Sequence, residues 1–167
     1  KGAKERIQSI AKILGEEAQG QKLIQAIDSQ IASIKKPQKT PKVLFVYARG
    51  AGSLNVAGTA TAADEMIQLA GATNAVQDYE GYKPINAESI VAAKPDVVLL
   101  TTRGLQSIGG IDAVIKLKGI DLTPAAKNKD IVAIDDLLLL GFGPRTGDGV
   151  VALAAKLNDA ANREIEP

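Results

Sequence analysis

Apolar residues recur at helical spacing through the first 36 positions. Ile7, Ile10, Ala11 and Leu14 fall on one face of a first helix, which Gly15 ends. Leu23, Ile24, Ile27, Ile31 and Ile34 form the apolar stripe of a second. Its span is predicted as Glu17–Lys36, about 30 Å long at the rise of an α-helix. Lys35 and Lys36 suit the negative end of its dipole. The polar run KPQKTPK, with two prolines, then breaks the pattern.

Beyond Pro41 the period changes. KVLFVYA reads as a strand from its β-branched and aromatic content. TAADEMIQLAG reads as a helix with Thr61 as N-cap and Gly71 as its stop. NAESIVAAK is a shorter helix capped by Asn86, and DVVLLTT a strand apolar on both faces. GGIDAVIKLKG reads as a helix and KDIVAID as a third strand. PRTGDGVVALAAKLNDAAN closes the chain as a helix, with Pro144 near its first turn. In DDLLLLGFGPRTG, the four leucines suit a buried strand or the start of a helix.

Strands that alternate with helices predict the α/β class: a Rossmann-like lobe with a parallel central sheet flanked by helices. Such sheets bind ligands beyond the carboxyl ends of their strands. The segments there are Tyr47-Ala48-Arg49-Gly50, Thr101-Thr102-Arg103-Gly104 and LLLLGFGPR, and each carries an arginine: Arg49, Arg103 and Arg145. Arginine's planar fork grips carboxylates in bidentate fashion, so three at one sheet edge favour an anionic ligand over three separate structural roles. Phe142, between Gly141 and Gly143, offers an apolar face to a flat ligand or packs in the core.

Composition narrows the chemistry. The 167 residues are 46% hydrophobic and only 3% aromatic, which gives one domain-sized chain with an aliphatic core. Twenty basic residues against nineteen acidic ones leave no nucleic-acid footprint. Neither histidine nor cysteine occurs, which removes histidine-based triads, histidine metal ligation and thiolate chemistry from these residues. Gly50-Ala51-Gly52 begins a dinucleotide fingerprint, but its third glycine would fall at Asn55. Tyr47, Tyr79 and Tyr82 are the tyrosines, and tyrosinate is one of the side chains that hold haem iron. Tyr79 and Tyr82 flank a turn and are expected to pack against it.

TAADEMIQLAGATNAV, EGYKPINAESIVAAKPDVVLLTTRG and above all DDLLLLGFGPRTG resemble the periplasmic haem-binding proteins of bacterial haem ABC importers. The resemblance runs from about Lys42 to Ala161. Its middle part is shared by the wider class that includes siderophore and cobalamin carriers. It implies a class III periplasmic binding protein, not an enzyme, with two α/β lobes joined by a long helix and the ligand between them. Residues 1–15 would end an N-terminal lobe, 16–41 would be the connecting helix and linker, and 42–167 the C-terminal lobe. On this reading the rest of the N-terminal lobe, with the tyrosine that ligates haem iron in the family, lies outside these residues.

The resemblance also implies roles. Haem is the transported ligand and an ABC permease in the membrane is the partner, with the binding protein in the periplasm. Arg103 would lie across from the iron-ligating tyrosine, where a cation favours the phenolate. Arg49 stands where some relatives carry a histidine, so it would pair with a haem propionate. Tyr47, Phe142 and Arg145 complete the expected haem contacts. Each lobe of the class docks on the permease through an acidic residue. Ala62, Met66 and Leu69 are expected to face inward, which makes Glu65 the first docking candidate and Asp64 the second. A siderophore or cobalamin carrier is the alternative ligand class, and a nucleotide-binding Rossmann-like enzyme domain the alternative function.

Overall fold

The computed structural model describes residues 2–37, 39–50, 52–84 and 86–163. Ala51 of the glycine-flanked loop, and residues 1 and 164–167 of the expected lobes, lie outside them. Two helices lead in: α1 (Gly2–Leu14) and α2 (Glu17–Ala32). They cross closely, because a side chain on Gly20 would meet the Ala11 Cβ at 2.5 Å. Ile7, Ile24 and Ile27 form a small core between them. Ile10 and Leu14, expected on the packed face, are instead 51% and 68% exposed.

The second helix is shorter than its apolar stripe predicted. Ser33 caps it: its hydroxyl donates to the Gln30 carbonyl at 2.7 Å. The chain then straightens, and the Lys35 carbonyl accepts from Asn158 Nδ2 at 2.9 Å. Lys35 and Lys36 therefore follow the helix rather than neutralise its last turn.

The α/β lobe contains β1 (Lys42–Ala48), β2 (Leu54–Ala57), α3 (Ala62–Leu69), β3 (Thr73–Asn74), β4 (Tyr82–Pro84) and α4 (Ala87–Ala93). These are followed by β5 (Val97–Thr101), α5 (Thr102–Ile108), α6 (Ile111–Val114), α7 (Pro124–Lys127), β6 (Ile131–Ile134), α8 (Asp136–Leu140) and α9 (Thr146–Arg163). As expected, β1, β5 and β6 are parallel, and the two-residue β3, which the pattern did not show, pairs parallel with the start of β1. The sheet as a whole is mixed. Beyond β3, β2 pairs antiparallel with the last third of β1, and β4 pairs antiparallel with β2. These two strands of four and three residues are too short to register as an alternating pattern. The segment expected to be one helix from Gly109 is helical only over α6. It turns at Gly119, whose φ of +91° and approach to Ala87 leave no room for a side chain.

The alternation along β1 divides the core. Val43 and Phe45 face one layer with Met66 and Ile67 of α3 and Leu153 and Leu157 of α9. Leu44 and Val46 face the other with Ile90, Val114 and Ile120. All four β1 residues are fully buried, as both faces of a covered sheet require. Docking of α2 on α9 needs Gly147, where a side chain would strike Gln30; the Gln30 amide also donates to Asp148 Oδ1 at 2.5 Å. Among the described residues no helix is long and apolar enough to cross a membrane.

Candidate functional site

Because β1, β5 and β6 are parallel, the segments after them meet at one edge. Gly50 N donates to Ser107 Oγ at 2.9 Å, which ties the β1 loop to α5. Arg103 N donates to Asp136 Oδ2 at 3.2 Å, which ties the start of α5 to α8. Each helix start is capped from within: Thr101 accepts from Gly104 N, and Asp135 from Leu137 N and Leu138 N. Three loops are thus held in register by capping side chains, and Arg49 and Arg103 stand exposed on them.

Tyr47 continues the alternation of Val43 and Phe45. Its ring therefore leaves the α3–α9 layer, half-buried, at the rim. Arg49 folds back over it: Nε donates to the Tyr47 hydroxyl at 3.0 Å, and the guanidinium carbon lies 5.5 Å from the ring centre. On β4, Tyr82 stands 6.1 Å from the Tyr47 ring and meets Phe45 edge-on at 6.5 Å. Tyr82 is 45% exposed. Partial burial pushes its phenol above the usual 10.0; the Thr61 hydroxyl draws it back down, and Tyr47 adds to the rise. Tyr82 was expected only to pack against a turn. Its strand is three residues long and ends in proline, so nothing in the pattern showed it reaching the β1 edge.

Tyr79, the other turn tyrosine, does pack locally. Its hydroxyl donates to the Val56 carbonyl at 3.1 Å, and Lys83 Nζ sits 4.2 Å from its ring centre. Burial pushes its phenol upward, and Asp78 reinforces the rise.

The GFGPR segment departs from expectation. Phe142 is 8% exposed and belongs to the core of the α3–α9 layer, so most of its ring is taken up by packing rather than offered to a ligand. It reaches the core at a φ of +44°, a left-handed conformation that costs a bulky residue roughly 1–2 kcal/mol. Gly141 is required by the end of α8, where a side chain would strike the Leu137 carbonyl, and not by a ligand. Arg6 of α1 donates to the Gly141 carbonyl at 3.0 Å. This stretch exposes Asp135, Leu137, at 69%, and Pro144 and Arg145 just before α9.

The two docking candidates separate. Asp64 is 6% exposed, and its carboxylate accepts from Asn74 Nδ2 at 3.1 Å and Gln68 Nε2 at 3.0 Å. Asn74 Nδ2 also bonds the Ala57 and Gly58 carbonyls, so Asp64 braces β2 against α3 and its carboxylate is engaged within the fold. The expectation that Asp64 is a docking contact is corrected on this ground. Glu65 is half-buried rather than fully exposed, and lines an open cavity of about 580 Å³ with Arg6, Thr61, Asp64, Leu140 and Phe142. Among the described residues no group of histidine, cysteine or acidic side chains could hold a metal ion. The edge offers instead a phenol oxygen, guanidinium groups and one exposed aliphatic side chain.

Residues 1–138 match the periplasmic binding protein family. The chain belongs to that family. It is 28% identical over 156 residues to the ABC transporter substrate-binding lipoprotein YvrC of Bacillus subtilis, covering 90% of this chain and 48% of YvrC. The solved periplasmic heme-binding protein RhuT from Roseiflexus sp. RS-1 superposes with a TM-score of 0.88 at 40% identity, over 95% of this chain and 62% of RhuT. The chain thus spans about half the length of the curated relative. The heme-binding protein HmuT has been solved with alanine replacing a tyrosine and, separately, an arginine two positions further on. Both variants superpose with a TM-score of 0.83 at 27% identity, over 93% of this chain and 51% of HmuT. The family's members are binding proteins, which agrees with a site built of recognition groups.

Proposed function

We propose that this chain forms one wall of the haem site in the substrate-binding component of an ABC importer, which captures haem in the periplasm and delivers it to the membrane permease. The observation that carries this reading is the Tyr47–Arg49 pair, with the phenol oxygen accepting from Arg49 Nε at the rim of the sheet. It is the chain's one tyrosine followed two positions later by an arginine, the spacing at which HmuT has been altered. A phenol oxygen that accepts from a cation is suited to carry charge as an iron ligand, as tyrosinate does in some haem proteins, so this reading gives Tyr47 a role that the resemblance assigned to a tyrosine outside these residues. Arg49 is then a positioning residue for Tyr47 before it is a propionate partner. Arg103 and Arg145 supply guanidinium groups for the propionates, and Leu137 takes the apolar role that Phe142 does not fill. Glu65 is the docking contact for the permease, and the protein performs no reaction on its cargo.

Haem titration of the full-length protein tests this. The Soret band should shift on binding, and the visible spectrum should carry a tyrosinate signature. Tyr47→Phe should abolish that signature and weaken binding by about a hundredfold, the upper end of what losses around a metal site cost. A Tyr47→Phe protein that binds haem with an unchanged spectrum would overturn the role of Tyr47. A full-length protein that ignores haem but binds ferric siderophores or cobalamin would move the reading to those ligands. The 167-residue chain alone, offering one wall, should bind haem weakly.

A further inference from the structure

Tyr47 is held on one side by Arg49. On another side its ring meets Tyr82 at 6.1 Å, with the planes tilted by 59°. Tyr82 in turn stands edge-on to Phe45 at 6.5 Å and 71°, and Phe45 is fully buried in the sheet. The contacts form a chain from the core to the rim: Phe45, Tyr82, Tyr47, Arg49. Backbone pairing fixes it. Val56 and Asn55 of β2 pair with Val46 and Tyr47, and Ala57 pairs with Tyr82, so the short β2–β4 arm carries the Tyr82 ring to the side of Tyr47. The arm is itself anchored, because Asn74 bonds the Ala57 and Gly58 carbonyls and accepts from Val76 N. Gly58 leaves no room for a side chain against Tyr79. A three-residue strand made only of exposed positions is poorly accounted for by burial alone; the contacts its first residue makes give it a purpose.

We propose that Tyr82 is a positioning residue for the ligand site: its ring fixes the tilt of Tyr47, so that the phenol oxygen held by Arg49 is presented at one angle to the iron of the bound haem. This rests on the reading of Tyr47 as the haem contact of this lobe. The required property is the aromatic face and edge of Tyr82, not its hydroxyl. Aromatic pairs at 4.5–7 Å in tilted or edge-to-face geometry are directional, and that directionality is lost in an aliphatic residue of similar bulk.

The test uses the full-length protein and haem, with Tyr47→Phe, Tyr82→Phe, Tyr82→Leu and Tyr82→Ala. Tyr47→Phe establishes which part of the spectrum belongs to the Tyr47 bond. Tyr82→Ala should weaken haem binding about tenfold, in the range for groups that orient metal ligands, and broaden or shift the tyrosinate band and the ferric electron paramagnetic resonance signal. Tyr82→Leu, which keeps bulk in the strand, should show the same spectral change with a melting temperature close to wild type. Tyr82→Phe should restore both spectrum and affinity. If Tyr82→Leu gives the wild-type band and affinity, Tyr82 does not position Tyr47 and the inference falls. If Tyr47→Phe itself leaves the spectrum unchanged, the failure lies instead in the reading of Tyr47. Should Tyr82→Ala not fold, the Leu and Phe variants decide alone.

Discussion

Tyr47 and Phe142 are both aromatic rings followed closely by an arginine at the same edge of the sheet, and the fold treats them in opposite ways. Tyr47 sits half-buried at the rim with Arg49 bonded to its hydroxyl. Phe142 turns inward at a left-handed φ to join Leu139, Leu153 and Met66, while Arg145 stands exposed three residues on. The difference comes from what precedes each ring. Tyr47 ends an alternating strand, so parity decides that it leaves the sheet on the Phe45 side where the layer of helices opens. Phe142 follows a helix that must stop and reverse into α9, and burying a ring at the reversal fixes that turn. A loop's residue types therefore name its possible chemistry, and the element feeding the loop selects which side chain is offered.

The sharpest way to break this contrast is Phe142→Ala. Removing a ring from a closed core typically costs 3–5 kcal/mol, and the fold should lose about that much in denaturant titration. Haem affinity measured under fully folded conditions should change little. A Phe142→Ala protein of wild-type stability that binds haem poorly would put Phe142 back among the ligand contacts. Next in size is Asp64→Ala, which strips two amide donors of their acceptor in a buried network and should cost about 1–3 kcal/mol. Equal stability would mean that Asp64 is not the brace its hydrogen bonds describe.

On the Tyr47 side the expected effect moves from stability to binding. Arg49 is exposed, so Arg49→Ala should leave the melting temperature unchanged while weakening haem about tenfold and altering the tyrosinate band. A haem whose propionates are esterified separates its two roles. If the loss from Arg49→Ala vanishes with the ester, Arg49 acts through the propionates. If the loss persists, it acts through the Tyr47 hydroxyl, as the 3.0 Å bond indicates. A smaller effect belongs to Glu65→Gln. Glu65 has a partner within the chain and is half-buried, so stability should shift by about 0–1 kcal/mol while haem affinity holds. Transport in a reconstituted importer should fall, and undiminished transport would remove Glu65 as the docking contact.

The parallel core was legible in the sequence because KVLFVYA and DVVLLTT are continuous apolar runs, and the caps Thr61 and Asn86 were legible because a hydroxyl or amide before a helical period has one common use. The β2–β4 arm was not. LNVA and YKP are short, one contains a proline, and their pairing partners are set by tertiary contacts rather than by local pattern. Because the arm was missed, Tyr82 was missed with it. Position after a strand brought out Arg49 and Arg103, yet the same rule could not tell that Phe142 faces inward or that Asp64 is enclosed. Both depend on packing against the next element along the chain, α9 for the first and Asn74 of β3 for the second, which local pattern does not reveal.

The smallest expected effect separates the two touching rings, Tyr47 and Tyr82, by pH. Partial burial holds the folded Tyr82 phenol above its ordinary value of 10.0. The folded state thus favours the protonated phenol more than the unfolded chain does. Below pH ~10 both states are protonated and the contribution of this burial is fully present. As pH climbs past 10 the unfolded chain ionises first, and the contribution is lost as pH rises through the folded value. Wild-type protein should accordingly lose stability on the alkaline side more steeply than Tyr82→Phe, whose ring cannot ionise. The two curves should run parallel from neutral pH to about 10 and diverge only above it. Tyr79, raised by burial and by Asp78, contributes a slope of the same sign, so the comparison is best made with Tyr79→Phe in both proteins. Parallel curves up to pH 12 would mean that Tyr82 ionises in the folded state as freely as in the unfolded chain.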